Sequence, residues 1–387
     1  MPLLTRKRLI LAETESSYGV DPSPDGADAI LVRDLNITPQ QSDVVNRDLV
    51  RPYLGASEQL LANTRVECTF SVELAGSGTA GTAPRFGKVL KACALAETTV
   101  SPAVTGTATA GGSNSITLAA GASSTNDFYN GQVIRITSGL GVGSVFLITD
   151  YVGSTKVATL RSIGAAVTLS NTSVYSIDAH VVYTPVSSTF GSVTLHYNID
   201  GVLHKLTGCR GTFSINTAVG EIPTIDFTMT GVYNAPTDTA APSVTYADQA
   251  TPRIFKAGNS GAFTLLDYSG CLQSVSMDLG NSTVYRELVG CTKEVLITDR
   301  ATTGTVVIEA PTIAQKDYFT AALTDGTLGE LSFIHGTTGG NIVALQSTRV
   351  DIGDPSYQDQ DGIHMLSLPY TAIPSTAGND EFRLVFA

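Results

Sequence analysis

Apolar and polar residues alternate with a period of two along many short segments of the chain. The clearest segment is 66–74, VECTFSVEL, and a second is 222–230, IPTIDFTMT. This period predicts strands with one buried and one polar face. After Pro84 the apolar residues instead recur at i, i+3, i+4, i+7 and i+8 from Phe86 to Ala94, which predicts a short helix. The chain is therefore predicted to be mainly β.

Part of the sequence occurs twice. Residues 47–50, RDLV, match residues 286–289, RELV, at an offset of 239. The helical stripe has a counterpart around Tyr318 at an offset of 229, and Leu195-His196 matches Ile334-His335 at an offset of 139. The first copy must then carry about 90 additional residues after its helix, a count read from the two offsets.

The additional residues differ in composition from the rest, with short strand patterns between Gly-, Ser- and Thr-rich segments, and they predict an inserted β-module. Residues 234–242, NAPTDTAAP, resemble a linker, and Pro22 and Pro24 predict an extended N-terminal segment. The predicted organisation is an arm at 1–29, a discontinuous first unit at 30–100 and 183–235, the module at 101–182, a linker at 236–250 and a second unit at 251–387.

Composition and charge argue against several classes of function. The 23 basic and 35 acidic residues give a net charge of −12, which repels a phosphate backbone, so specific nucleic-acid binding is not expected. No apolar run reaches the roughly 18 residues of a membrane helix. Leu9 to Ala12 is too short for the apolar part of a secretory signal. Five cysteines without CxxC spacing predict neither a disulfide framework nor a zinc cluster, and they indicate a reducing cytoplasm.

One motif suggests an enzyme. Residues 76–81, GSGTAG, read GxGxxG between a predicted strand and a predicted helix, and Glu97 follows at the spacing of a ribose-binding carboxylate. However, the preceding strand alternates instead of being buried on both faces, and the second copy has Glu309-Ala-Pro-Thr312 in this place. A loop insertion is the favoured interpretation, and a nucleotide-dependent enzyme using the Gly76 to Gly81 loop is the alternative.

Other chemistry has little support in the sequence. His196 and His204 flank a predicted hairpin turn, but no third metal ligand lies in register with them. The motifs GxSxG, HExxH and GxxxxGK[ST] do not occur. No catalytic, cofactor-binding or metal-binding residue is therefore predicted.

Two predicted strands have polar faces that allow two interpretations. Each face is either an ordinary solvated surface or the lining of an enclosed channel, in which acidic groups and short hydroxyls keep DNA from adhering. The candidate channel-lining residues are Glu67, Thr69, Ser71, Glu73, Thr224, Asp226, Thr228 and Thr230.

Several segments resemble the major tail-tube proteins of long-tailed, non-contractile phages. They are ESSYGVDPSP at 15–24, ADAI at 27–30, CRGTFSI at 209–215, GEIPTIDF at 220–227 and TGVY at 230–233. Within the insertion, 129–138 and 150–158 are similar to a small β-module of various phage structural proteins. The alternative virion roles are a capsid decoration protein and a distal-tail component.

The resemblance implies two tandem tail-tube-like β-sandwich or partly closed barrel folds, each with one flanking helix, in rings that stack into a tube for DNA ejection. Family members mostly form hexamers of one fold per chain, so two copies imply a trimeric ring with pseudo-sixfold character. The candidate inter-subunit residues are Tyr18, Asp21, Arg47, Arg51, Arg286 and Glu287, with the loops 36–65 and 278–304.

The resemblance also implies the partners and the location. The expected partners are other copies of the chain, the tape-measure, tail-terminator and distal-tail proteins, and genomic DNA in non-specific passage. Neither a cofactor nor a membrane is expected. The chain would be assembled in the host cytoplasm and reside in the virion tail.

Overall fold

The computed structural model describes residues 3–163 and 167–387. Within them the chain is mainly β, as the alternating pattern predicts, with an 18-stranded sheet, a seven-stranded sheet and a separate two-stranded hairpin. The two short helices are α1, Gly87–Ala92, and α2, Tyr318–Leu323. Helix α1 lies in the segment whose spacing predicts it, and its Val89 and Leu90 are buried.

The strands are, in chain order, β1 (Arg8–Thr14), β2 (Ala29–Ile30), β3 (Arg33–Val45), β4 (Leu60–Glu73), β5 (Leu95–Val100), β6 (Val104–Thr107), β7 (Ala110–Gly111), β8 (Ser115–Thr117), β9 (Val133–Ser138), β10 (Val145–Val152), β11 (Val157–Ser162), β12 (Val174–Ile177), β13 (His180–Pro185), β14 (Val193–Ile199), β15 (Val202–Ala218), β16 (Thr224–Tyr233), β17 (Thr237–Asp238), β18 (Ser260–Leu265), β19 (Leu272–Asp278), β20 (Asn281–Arg286), β21 (Glu294–Arg300), β22 (Thr303–Glu309), β23 (Gly329–Thr338), β24 (Asn341–Ile352), β25 (Ser356–Gln360), β26 (Ile363–Ala372) and β27 (Arg383–Phe386).

The large sheet folds into two layers around one hydrophobic core. The first layer has the antiparallel order β3-β4-β16-β15-β19-β22-β26-β25. Its alternating apolar residues face the core, where the Phe227 ring lies 5.3 Å from that of Phe70 and 5.9 Å from that of Phe213. Its other face is polar, so this layer carries the two-sided pattern read from the sequence.

The second layer covers the core from the other side. It contains β2-β1-β14 and the run β18-β23-β24-β27-β13-β5. The long strands β15 and β24 belong to both layers, because each pairs with second-layer strands near its start and with first-layer strands near its end. In β15 the passage coincides with an irregularity at Gly208, whose φ of 60° suits glycine.

One succession of pairings occurs twice along the large sheet. The first is β1-β14-β15-β16-β4-β3 and the second is β18-β23-β24-β26-β22-β19. Strands β16 and β26 begin and end 139 residues apart, the offset read from the sequence. We call the parts containing these runs the first and second units. The units meet where β15 pairs with β19.

The seven-stranded sheet, β6 to β12, forms a module with a core of its own. Val133, Val145 and Leu147 of the module pack on Ile334 and Val385 of the second layer, on the face turned away from the main core. Hydrogen bonds accompany this contact, from Gln346 Nε2 to the Gly131 carbonyl at 2.9 Å and from Arg383 Nη2 to the Asn130 carbonyl at 2.8 Å. The module is therefore docked on the second unit, although it is inserted in the first.

Three segments outside the predicted units also make defined contacts. Strand β1 lies in the predicted arm and pairs with β14 over its whole length. In the predicted linker, Asp248 forms an ion pair of 2.9 Å with Arg85, and β17 pairs with β15. Strand β13 begins at His180 and pairs with β5 and β27 of the large sheet. The domain boundaries drawn from the sequence stay predictions.

A buried histidine of the second unit gives a prediction for acid stability. His335 is stacked 5.8 Å from the Phe255 ring, and burial lowers its pKa from 6.5 to about 4. Because the unfolded chain binds this proton more readily, stability is lost as pH falls from about 6.5 towards 4, by on the order of 3 kcal/mol. We expect the His335→Phe variant to lack this loss. The check is the free energy of unfolding of the wild type and the variant, measured in dilute protein at pH 7 and at pH 4. Equal losses in both proteins would contradict this expectation.

Candidate functional site: a polar sheet face with two open edges

The eight candidate channel-lining residues lie together on one face of the first layer. Strands β4 and β16 place them in four directly opposed pairs: Glu67 with Thr230, Thr69 with Thr228, Ser71 with Asp226 and Glu73 with Thr224. All eight are half-buried or exposed, whereas the residues between them, such as Phe70 and Phe227, are buried. The structure thus brings together every residue of this set, and their orientation towards a channel stays a prediction.

Hydrogen bonds tie this face together across strands. The Ser71 hydroxyl donates to Asp226 Oδ1, and Asn216 Nδ2 donates to Asp226 Oδ2 at 2.8 Å. The Asp226 carboxylate therefore bridges β4, β16 and β15. Short polar side chains and carboxylates continue beyond β15 on the strands of the second unit: Ser274, Ser276 and Asp278 on β19, and Thr303, Thr305 and Glu309 on β22.

The units join through this layer without a break. Residues Ser214–Ala218 of β15 pair in antiparallel fashion with Ser274–Asp278 of β19. Leu279 extends the contact, since its N–H donates to the Phe213 carbonyl at 3.0 Å. One eight-stranded sheet with one polar face therefore spans both units.

Both edges of this eight-stranded sheet are open within the described part of the chain. Strand β3 pairs with β4 alone, and β25 pairs with β26 alone. All five residues of β25 are exposed. Unpaired N–H and C=O groups at a sheet edge are a template for adding another strand.

Tyr18 and Asp21, two of the candidate inter-subunit residues, make their contacts within the chain. The Tyr18 hydroxyl donates to the Gly208 carbonyl at 3.0 Å and accepts from the Val295 N–H at 2.6 Å, so it links the first unit to β21 of the second. Burial raises its pKa to about 12. An inter-subunit role for these two residues stays a prediction.

Asp21 holds two basic side chains of the first unit. Its carboxylate lies 3.1 Å from His196 Nε2 and 2.8 Å from Lys205 Nζ. Burial alone would raise the pKa of Asp21, but the hydrogen bonds from Lys205 and the Ser23 N–H outweigh it and leave the pKa below its ordinary value. This cluster fixes the N-terminal segment to β14 and β15.

The other four candidates lie at the ends of two hairpins. We call residues 46–59, between β3 and β4, the long tip, and residues 287–293, between β20 and β21, the short tip. Arg286 lies at the base of the short tip. Arg47 forms an ion pair with Glu58, and Arg51 lies 6.0 Å from the Tyr53 ring centre. At the short tip Arg286 pairs with Glu294, and Glu287 lies 2.9 Å from Lys293. Each arginine of the repeated motif thus braces its own hairpin.

The glycine loop packs against the second unit. The Gly76 N–H donates to Asn341 Oδ1 at 3.0 Å, and the Gly78 N–H donates to the Gly340 carbonyl at 2.9 Å. A Cβ at Gly76 would lie 2.1 Å from the Gly340 oxygen, which explains this glycine by packing. Glu97 accepts a hydrogen bond of 2.5 Å from Tyr183. Two of the loop N–H groups needed to cradle a phosphate are therefore already engaged, which argues against the enzyme alternative.

Residues 3–163 and 167–387 contain neither a cluster of metal ligands nor a membrane-spanning helix. No group of three or more His, Cys, Asp or Glu side chains there is arranged to hold a metal ion. No helix in these ranges has the length and apolar character to cross a membrane.

The family follows from a match to the sequence. The family model described as phage tail tube protein matches residues 5–372, which include the module, the first unit and the second unit up to the end of β26. The chain belongs to the phage tail tube protein family. This tail tube protein is accordingly a structural component of the virion tail, and the family is not one of enzymes. No curated protein matches the chain in a sequence comparison.

Sequence reasoning missed two features of the tail tube protein. The β15–β19 joint was one, although the alternation of Ser274, Val275, Ser276, Met277 and Asp278 marks β19 as a two-faced strand. The docking of the module on the second unit was the other. Val133, Val145 and Leu147 fit an ordinary module strand, and sequence alone does not reveal the surface they contact.

Proposed function

We propose that this tail tube protein forms trimeric rings which stack into a tube, and that the polar face of the eight-stranded sheet lines the channel through which DNA passes. The observation that carries the proposal is one continuous sheet with a polar face on one side, the core on the other and an open edge at each end. Such a sheet closes into a barrel when copies join edge to edge, because closure removes every open edge.

The repeated succession of strand pairings supports three chains per ring. The two units have the same succession of strand pairings, and β16 and β26 are related by the offset of 139 found in the sequence. Each unit also has one short helix on the core. Three chains then contribute six similar units to one closed ring, in agreement with the preference of oligomers for closed cyclic symmetry.

The joint inside the chain is the template for the joint between chains. Strand β19 occupies in the second unit the place of β3 in the first, and β25 continues the second unit as the end of β15 continues the first. Transferring the register of the β15–β19 ladder places Gln360 of one chain opposite Thr38 of the next and Gln358 opposite Gln41, across the irregularity in β3 between Thr38 and Gln41. Pro39 lacks an N–H, so the joint has one donor fewer at that position.

The charge of the polar face and the order of the layers support an orientation in which the polar face lines the channel. Glu67, Glu73, Asp226, Asp278 and Glu309 give the polar face an excess of carboxylates, which repel a phosphate backbone during its passage. The module lies on the opposite side of the core, against the outer face of the second layer. If the polar face lines the channel, the module decorates the exterior of the tube.

The remaining partners of the proposal are those that the family resemblance implies, namely the tape-measure, tail-terminator and distal-tail proteins. Assembly would take place in the host cytoplasm. The overall charge of −12 suits non-specific passage of DNA.

Electron microscopy of the purified protein tests this proposal. We expect rings with threefold symmetry and a six-lobed outline, alone or stacked into tubes, with three peripheral densities for the modules. Discrete monomers under all conditions, including mixtures with the tail partners, would contradict the proposal.

A further inference from the structure

The C-terminal strand β27 lies between the two units. It pairs with β24 of the second unit and, through Leu384–Phe386, with β13 of the first unit. The Phe386 ring is buried, and its centre lies 5.7 Å from that of Phe86 and 5.8 Å from that of Tyr183, both in the first unit. The joint inside the chain is therefore closed twice, by β15–β19 in the first layer and by β13–β27 in the second.

The first unit has a counterpart of this strand, but the counterpart bridges nothing. Strands β15 and β24 begin 139 residues apart, at Val202 and Asn341. Strand β17 pairs with the start of β15, at the place where Ala387, next to β27, bonds to Ile342 near the start of β24. Both residues of β17, Thr237–Asp238, are exposed, and among the described residues they pair with β15 alone. In the second layer a strand thus bridges the units of one chain, whereas its counterpart ends at an open edge.

The duplication leaves the end of β15 with a choice of partner. Strand β19 holds in the second unit the place of β3 in the first, so the same edge of β15 fits β19 of its own chain and either strand of another chain. Main-chain hydrogen bonds give affinity in strand addition, while side-chain contacts give specificity. Residues 234–259 connect the units, and a connection of this length also allows units to be exchanged between chains. A contact outside the β15–β19 ladder is needed to settle the choice.

We propose that β27 is a clasp that commits the end of β15 to β19 of the same chain before chains meet. Once Phe386 is seated against Phe86 and Tyr183, the second unit is held beside the first. Strand β19 of the same chain then has a far higher effective concentration at β15 than any strand of another chain. Each chain becomes a fixed pair of units, with β3 and β25 as the open edges of its first layer. The clasp acts within a single chain, so the inference does not depend on ring closure.

Two chains that each carry one cysteine, expressed together, test this inference. One chain carries Ser214→Cys and the other Asp278→Cys, both with Cys271→Ser and Cys291→Ser, because these two native thiols are exposed. Positions 214 and 278 are directly opposed in the β15–β19 ladder. On oxidation the two chains become linked when their units have exchanged, since in an unexchanged chain the residue opposite the cysteine is not a cysteine. With the intact clasp we expect linked dimers only at the background level of the Ser214→Cys chain alone.

Two variants of the clasp should raise the yield of linked dimers. We expect an increase of about tenfold or more for Phe386→Ala, which removes the ring that joins the units, and a larger one for a chain that ends at Phe382 and lacks β27. Phe333→Ala is the matched control, because Phe333 is similarly buried but lies inside the second unit, 6.0 Å from the Phe255 ring. It should destabilise the chain to a similar extent and leave the dimer yield unchanged.

Thermal unfolding of each variant shows whether it is folded, and a chain with both Ser214→Cys and Asp278→Cys should form an internal disulfide. Equal dimer yields for Phe386→Ala and Phe333→Ala would overturn the inference, because exchange would then follow from lost stability alone. A folded Phe386→Ala chain with the background yield would also overturn it, even where the truncated chain fails to fold. Dimers from the intact chain at the level of the clasp variants would mean that β27 does not commit β15 to its own β19.

Discussion

A tail tube protein carrying Thr38→Cys and Gln360→Cys should form disulfide-linked dimers and trimers on oxidation, and the series should stop at the trimer. The transferred register places these two residues opposite each other on the polar face at the joint between neighbouring chains. Directly opposed Cβ atoms in antiparallel strands lie about 4.5–5.5 Å apart, so the shorter separations suit a disulfide. Three joints close a three-membered ring, after which no free cysteine pair is left to link a fourth chain.

The experiment needs a background without other reactive thiols. Cys271 and Cys291 are exposed and should be changed to serine, whereas burial raises the pKa of Cys68 to about 12 and leaves its thiol unreactive. Each single cysteine variant should stay monomeric in denaturing gels. Thr38→Cys combined with Asp359→Cys is a matched control, because shifting by one residue moves the second thiol to the other face of β25.

Three outcomes would distinguish the parts of the proposal. A ladder that continues past the trimer would retain the β3–β25 joint and contradict threefold closure. Equal crosslinking of the matched and shifted pairs would contradict the register. The absence of linked species, in a variant that forms rings by electron microscopy, would place the ring joint elsewhere on the chain.

The local periodicity of apolar and polar residues was sufficient to predict much of the fold. Alternation over 66–74 and 224–230 was sufficient to identify β4, β16 and their polar faces, because a strand with one face on the core must alternate with a period of two. The helical stripe located α1 for the same kind of reason. Which strands pair with each other could not be predicted from the local sequence. The β15–β19 contact joins residues about 60 apart in the chain, and either strand would satisfy the same pattern beside another neighbour.

Long-range contacts also account for the residues whose surroundings the sequence did not reveal. Tyr18 looked like an arm residue because prolines follow it, yet its hydroxyl bonds to Val295, 277 positions away. The glycine loop resembled a phosphate cradle because local spacing is all that a motif records. Its actual neighbour, Gly340, is supplied by the second unit. A sequence motif therefore constrains backbone shape, and the group that meets this backbone depends on the whole fold.

Removal of the module is expected to leave ring assembly intact and to lower the stability of the second unit. Val100 of β5 pairs directly with His180 of β13, so residues 101–179 can be replaced by Asn-Gly, the preferred two-residue hairpin turn. The excision exposes Ile334, Ile342 and Val385, which Val133, Val145 and Leu147 cover in the whole chain. Losing the burial of three aliphatic side chains lowers the free energy of unfolding by on the order of 5 kcal/mol.

Two variants test whether the module lies on the exterior of the ring. The excised chain should unfold at a lower temperature than the wild type and still form rings of the same inner diameter, because the module lies across the core from the polar face. Leu147→Ser in the whole chain loosens the same contact without removing mass, so it should lower stability less and keep the peripheral density. An excised chain that folds and yet forms no rings, or rings with a wider channel, would mean that the module takes part in the joint or faces the lumen.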